Sequence, residues 1–111
     1  MSAQAIKHIS VWRIHVPTGE CKTSVNQQLK SRVEALHGKV LGLRHIELGI
    51  DIGGMSDRSD AVLYSEFESA QALETYKQHP EHHALVELLD QYRVETRVVD
   101  YFIDDHIQPS N

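Results

Sequence analysis

A single cysteine, Cys21, stands in a chain of 111 residues, so no intramolecular disulfide can staple it. Nothing beside Cys21 in sequence marks an activated thiol, and a structural role is expected of it. No apolar run approaches the ~20 residues that a bilayer span needs, so no membrane partner is expected and the chain reads as soluble. The opening residues Met-Ser-Ala-Gln-Ala-Ile-Lys-His lack an uninterrupted apolar stretch of signal-peptide length, which predicts a cytoplasmic location. Positive charge is also short. Against 16 Asp and Glu stand 11 Lys and Arg, and the formal charge of −5 opposes phosphate backbones, so no nucleic-acid partner is expected. Missing too are a glycine-rich phosphate loop, a Ser-His-Asp order and a Cys-His arrangement, which removes support for nucleotide transfer and covalent hydrolysis and leaves no cofactor expected.

What is present is ordinary globular material. Hydrophobic residues at 41% and charged residues at 24% fit one folded domain over residues 1–111, with its core at about 5–104 and a short polar C-terminal tail. Residues 6–16 are rich in β-branched and aromatic side chains and stop at Pro17-Thr18-Gly19, a strand and a turn. Ser24 and Gln27 have capping-box spacing, and Val25, Leu29, Val33 and Leu36 then recur at helical intervals up to Gly38. After Gly42, residues 43–51 place Ile46, Leu48 and Ile50 on one face of a second strand. Turn formers fill residues 51–60, with Asp57 and Asp60 expected as solvated charges, and residues 60–68 form a third strand. Ser69 caps a short helix in which Leu73 and Tyr76 share a face, and Pro80 interrupts it. Beyond Pro80, Leu85, Leu88, Leu89 and Tyr92 mark another helix, and residues 94–104 form a fourth strand ending at Asp104-Asp105.

The order is β-α-β-β-α-β with the second helical region broken at Pro80. That is the α+β, ferredoxin-like order with an antiparallel four-stranded sheet. Both sheet faces carry apolar residues: Ile9 and Val11 oppose Trp12 and Ile14, and Val62 and Tyr64 oppose Leu63 and Phe67. Helices on one face leave the other in need of a cover, so a homodimer through that face is expected.

Over nearly its whole length the chain resembles the stress-responsive dimeric α/β-barrel (Dabb) family. The resemblance rests on Lys7-His8-Ile9-Ser10-Val11-Trp12, on Gly42-Leu43-Arg44-His45-Ile46-Glu47-Leu48-Gly49, on Phe67-Glu68-Ser69-Ala70-Gln71-Ala72-Leu73 and most specifically on Tyr76-Lys77-Gln78-His79-Pro80-Glu81-His82. It implies a ferredoxin-like protomer and a homodimer whose two sheets form a dimeric α/β barrel. Plant polyketide cyclases of that family perform an intramolecular aldol condensation with the tyrosine and second histidine of Tyr-x-x-His-Pro-x-His, which correspond to Tyr76 and His82. Their early first-strand histidine corresponds to His8. Their third-strand histidine is replaced by Ala61, so the cavity chemistry is expected to differ. The wider superfamily also holds cofactor-light monooxygenases, which makes oxidation a third reading.

Spacing draws attention to the same residues. His82 lies three residues before Leu85 and seven before Leu89, on the apolar face of its helix, and Tyr76 shares a buried face with Leu73. His8 leaves the first strand on the side of Ser10, Trp12 and Ile14. Tyr76 and His82 are therefore the catalytic pair to test, and His8 and Trp12 the substrate contacts. The imidazole would take a proton beside a carbonyl of a small organic ligand while the phenol holds the oxygen. Against this stands a non-catalytic homodimer in which Tyr76 packs in the core and His82 bonds a backbone carbonyl. His79 precedes Pro80 as a helix cap. No metal site is expected: His82 and adjacent His83 face different sides of a helix, and His15, His37, His45 and His106 lie on separate elements. Asp100, among Val98, Val99, Tyr101 and Phe102, needs a partner if buried.

Overall fold

Strand β1 (Ile6–Arg13) lies inside the sheet, paired antiparallel with β3 (Ala61–Phe67) on one side and with β4 (Glu95–Phe102) on the other. Strand β2 (Leu43–Ile50) pairs antiparallel with β3, giving the order β2-β3-β1-β4. Helix α1 (Lys22–Glu34) connects β1 to β2, and α2 (Ala70–Lys77) and α3 (Pro80–Gln91) connect β3 to β4. This computed structural model describes residues 4–53 and 57–103; Asp104, Asp105 and His106 lie outside them. The ferredoxin-like layout read from the sequence is the observed one. Strand ends are trimmed, since β1 stops at Arg13 and leaves buried Ile14 beyond it.

Alternation along the strands separates two faces. Ser10 and Trp12 on β1, Leu63, Ser65 and Phe67 on β3, and Ile46 and Leu48 on β2 are buried on the helix side. Against them pack Val25, Leu29 and Val33, spaced four residues apart on α1, together with Leu36 and Val40 beyond its end. A polar strap fixes α1 on β2: Lys30 Nζ donates to the Leu48 carbonyl at 2.9 Å and to Glu34 Oε2 at 2.6 Å, and Glu34 accepts from the Leu48 amide at 3.3 Å. The Lys30 hydrogen bond holds the Glu34 carboxyl below the usual carboxylate range.

Two local expectations are corrected. Helix α1 begins at Lys22 with Cys21 as its N-cap and no side-chain capping bond, so Ser24 falls inside the first turn and no capping box forms. The exposed Cys21 thus sits at a helix N-terminus, where hydrogen bonds from Ser24 hold its thiol below the ordinary value. Asp60 is tied into the fold: Oδ2 accepts from the Ile14 amide at 2.7 Å, and Oδ1 meets Lys22 Nζ at 3.2 Å. A turn aspartate looks solvated in sequence because the β1 end it captures is 46 residues away.

Gly42 closes the route from α1 into β2. Its φ is +85°, and a Cβ there would lie 2.7 Å from the Ala72 Cβ on α2. Gly42→Ala is expected to cost about 3 kcal/mol by combining left-handed strain with overpacking, read as a lower denaturant midpoint at unchanged slope.

The opposite face of the sheet has no helix among the described residues. Val11, Val99 and Tyr101 are exposed there, with Val62 and Tyr64 half-buried, and Lys7 Nζ lies 5.6 Å and 6.0 Å from the ring centroids of Tyr64 and Tyr101. Strand β4 is exposed along its whole length, so even its helix-side residues Val98 and Phe102 are each 51% exposed. Among the described residues no helix is long and apolar enough to cross a membrane.

Candidate functional site

Helices α2 and α3 are an amphipathic ribbon broken where proline requires it. The Ser69 side chain accepts from the Ala72 amide at 3.1 Å and starts α2. At the break, His79 Nδ1 accepts from the Glu81 amide at 3.0 Å, and Pro80 occupies the first turn of α3, where a missing N–H costs nothing. His79 is thus occupied as a cap. The resulting turn brings Tyr76, near the end of α2, against His82, in the first turn of α3. Their ring centroids are 4.8 Å apart with the planes 76° from parallel.

Tyr76 is 2% exposed, its ring packs on Phe67 with centroids 5.3 Å apart, and its buried hydroxyl has no hydrogen-bond partner among the described residues. Burial pushes the phenol up to about 12, so it is a neutral O–H donor at physiological pH. His82 is half-buried. Burial holds its imidazole below the ordinary 6.5, the charges of His83 and His8 act in the same direction, and a hydrogen bond to the Lys77 backbone opposes them. The ring is therefore neutral at pH 7, able to accept a proton. His83 is exposed, with its ring at 90° to that of His82.

Sheet register supplies the facing wall. His8 pairs with Asp100 across β1 and β4, and both project to the helix side. His8 Nδ1 lies 2.5 Å from Asp100 Oδ1, with the side chains 12% and 29% exposed. Trp12 is 1% exposed and donates its indole N–H to Ser10 Oγ at 2.9 Å, so it offers a ring face and no free donor.

His8, Trp12, Tyr76 and His82 border one cavity of about 470 Å³ between the sheet and α2–α3, flanked by Leu85 and Leu89 and by the exposed Val86 and Val98. The structure thus brings all four sequence-selected residues to one space. Ala61 lies outside it, at the far end of β3 beside Trp12 and Ile50 in register. The residue that sequence reasoning did not place in the site is Asp100. Its need for a partner was visible; that His8, 92 residues away, supplies it follows only from strand register.

His15 and His45 stand apart from this cavity. His15 pairs with Glu95 and His45 with Glu47, each at 2.6 Å and exposed. Among the described residues, no group of three or more His, Cys, Asp or Glu is placed to hold a metal ion. Two further hollows, of about 490 and 730 Å³, both touch Val11 and lie along the face and edge that the helices leave open.

The chain belongs to the Stress responsive A/B Barrel Domain (Dabb) family, which matches residues 6–103. A dimeric protein of unknown function with a ferredoxin-like fold from Bacteroides fragilis is 31% identical, with 93% of this chain and 100% of that chain covered and a TM-score of 0.78. A hydroxynitrile lyase from Passiflora edulis is 14% identical, with 95% and 98% of the two chains covered and a TM-score of 0.75. A cofactor-independent oxygenase from Streptomyces nogalater is 10% identical, with 96% and 100% covered and a TM-score of 0.69. The likeness to these two enzymes is one of fold. No curated protein matches the chain.

Proposed function

We propose that this protein is a homodimer, joined through its helix-free sheet face, and that each copy binds a small carbonyl compound in the Tyr76–His82 cavity with cyclase- or lyase-like proton transfer as its chemistry. The observation that carries the reading is the buried Tyr76 hydroxyl, which has no partner among the described residues, on a ring that packs against the neutral imidazole of His82 and borders a mainly apolar cavity. An unpaired buried hydroxyl costs stability, and a ligand oxygen in the cavity would relieve that cost. With the carbonyl oxygen on Tyr76, His82 takes a proton from the adjacent carbon and returns it later, while His8 and Trp12 bound the ligand. The exposed apolar residues of the open face and the dimeric state of the Bacteroides fragilis relative support the homodimer.

Turnover of β-keto, aldol and cyanohydrin compounds tests the chemistry. For the compound that is turned over, His82→Ala is expected to lower kcat at least about 100-fold with the fold intact. Because the His82 pKa is depressed in the folded protein, its neutral form persists to lower pH than a free imidazole. The acid limb of kcat is therefore expected below pH 6.5. The stability linked to neutral His82 is fully present above 6.5 and is lost as pH falls from there through the lower folded value. A protein that binds these compounds and converts none would be a ligand-binding dimer, the reading that Tyr76 packed on Phe67 also accommodates.

A further inference from the structure

Arg13 and Arg97 take no part in the Tyr76–His82 cavity, and among the described residues neither has an ion-pair partner. Both lie on the helix-free face: Arg13 ends β1 opposite Glu95, and Arg97 pairs in register with Val11. Residues offset in this way on neighbouring strands stand about 7–8 Å apart, near enough for two guanidiniums to share one oxyanion. They border the hollow of about 730 Å³, where Val11 and Val99 supply an apolar wall on the same side of the sheet. Of the residues lining the Tyr76–His82 cavity, only Thr96 and Val98 on the edge strand β4 also border this hollow. Its other polar side chains are Ser59, which brings a hydroxyl as Thr96 does, and Glu95, whose Oε2 already meets His15 Nε2 at 2.6 Å. That hydrogen bond, with the charges of Arg13 and Arg97 adding to it, holds the Glu95 carboxyl below the usual carboxylate range. One carboxylate against two guanidiniums leaves a positive charge over.

A second copy seated on this face would take that charge out of water, and the other carboxylates nearby are engaged within their own chain. Glu47 meets His45 at 2.6 Å, the Tyr64 hydroxyl donates to Glu66 at 2.6 Å, and Asp51, past the end of β2, accepts from Arg58 at 2.7 Å. A guanidinium covered without a counter-ion opposes association. We propose that Arg13 and Arg97 form an anion site at the homodimer interface whose ligand is a carboxylate with a hydrocarbon body. The two guanidiniums share the carboxylate, and the hydrocarbon lies on Val11 and Val99. This rests on the homodimer reading and adds to it a ligand that tightens the assembly. Two-fold symmetry repeats the site, one per chain. A ligand that binds the dimer better than the single chain lowers the dimer dissociation constant by mass action.

The experiment uses the full chain with sodium hexanoate and neutral hexanamide as matched probes. Sedimentation follows the monomer–dimer equilibrium, and calorimetry follows binding, so a dimer too tight to dissociate still reports the ligand. In wild type, saturating hexanoate is expected to bind once per chain and to lower the dimer dissociation constant at least about tenfold, while hexanamide changes it less than about twofold. Arg13→Gln and Arg97→Gln, both at positions exposed in the single chain, are each expected to abolish hexanoate binding. The ligand-free Arg97→Gln dimer is expected to be as tight as wild type or tighter, because an unpaired charge has left the interface. No binding of hexanoate to wild type, equal effects of the two probes, or hexanoate binding that survives both substitutions would overturn the anion site and leave the homodimer intact. So would a ligand-free Arg97→Gln dimer weaker than wild type, since Arg97 would then be paired with a carboxylate of the second copy. A wild-type chain that stays monomeric with and without hexanoate would overturn the homodimer itself and this site with it.

Discussion

Tyr76→Phe is expected to fold at least as stably as the parent while turnover falls at least about 100-fold. A tyrosine kept for packing would behave in the opposite way. The ring contacts with Phe67 and His82 survive the change, so the core around 2%-exposed Tyr76 keeps its shape. What disappears is a buried hydroxyl without a partner among the described residues, whose burial costs about 1–3 kcal/mol. Removing it should raise stability by about 1 kcal/mol, seen in denaturant unfolding as a higher midpoint at unchanged slope. A variant that is clearly less stable would mean that the hydroxyl has a structural partner, and the functional reading of Tyr76 would lose its basis.

Val11→Arg is expected to turn the dimer into a folded 12.6 kDa monomer, measured by light scattering over a range of concentrations. Val11 lies on β1 inside the sheet, is 38% exposed on the helix-free face and pairs in register with Val62 and Arg97. In one chain a cation at that site remains in water and costs little. In a two-fold assembly the same surface meets itself, so the substitution places two cations, each beside an Arg97, in the interface. Desolvating unpaired charges costs several kcal/mol, which corresponds to a dissociation constant at least about 1,000-fold weaker. A Val11→Arg protein that remains dimeric would place the contact elsewhere.

The fold was legible because its signals are local. The alternation in β1, the four-residue spacing of Val25, Leu29 and Val33, the Ser69 cap and the Pro80 break all act over a few residues, and each formed the element expected. The start of α1 was misread because two residues with the right spacing, Ser24 and Gln27, mimic a capping box inside a first turn. In the site, Tyr76 and His82 could be paired from helix faces because only a short break separates them. The partners of Asp60 and Asp100 could not, since the Ile14 amide and His8 reach them across the sheet and strand register is set by the whole fold.

The proposed chemistry turns on a hydrogen bond from the Tyr76 hydroxyl to a ligand carbonyl, which the 13C shift of a bound ketone labelled at that carbon reads directly. With 4-phenylbutan-2-one in the cavity, a downfield carbonyl shift is expected in wild type and is absent when Tyr76→Phe binds the same ketone. The same carbonyl shift in both proteins, or no bound signal in wild type, would contradict it.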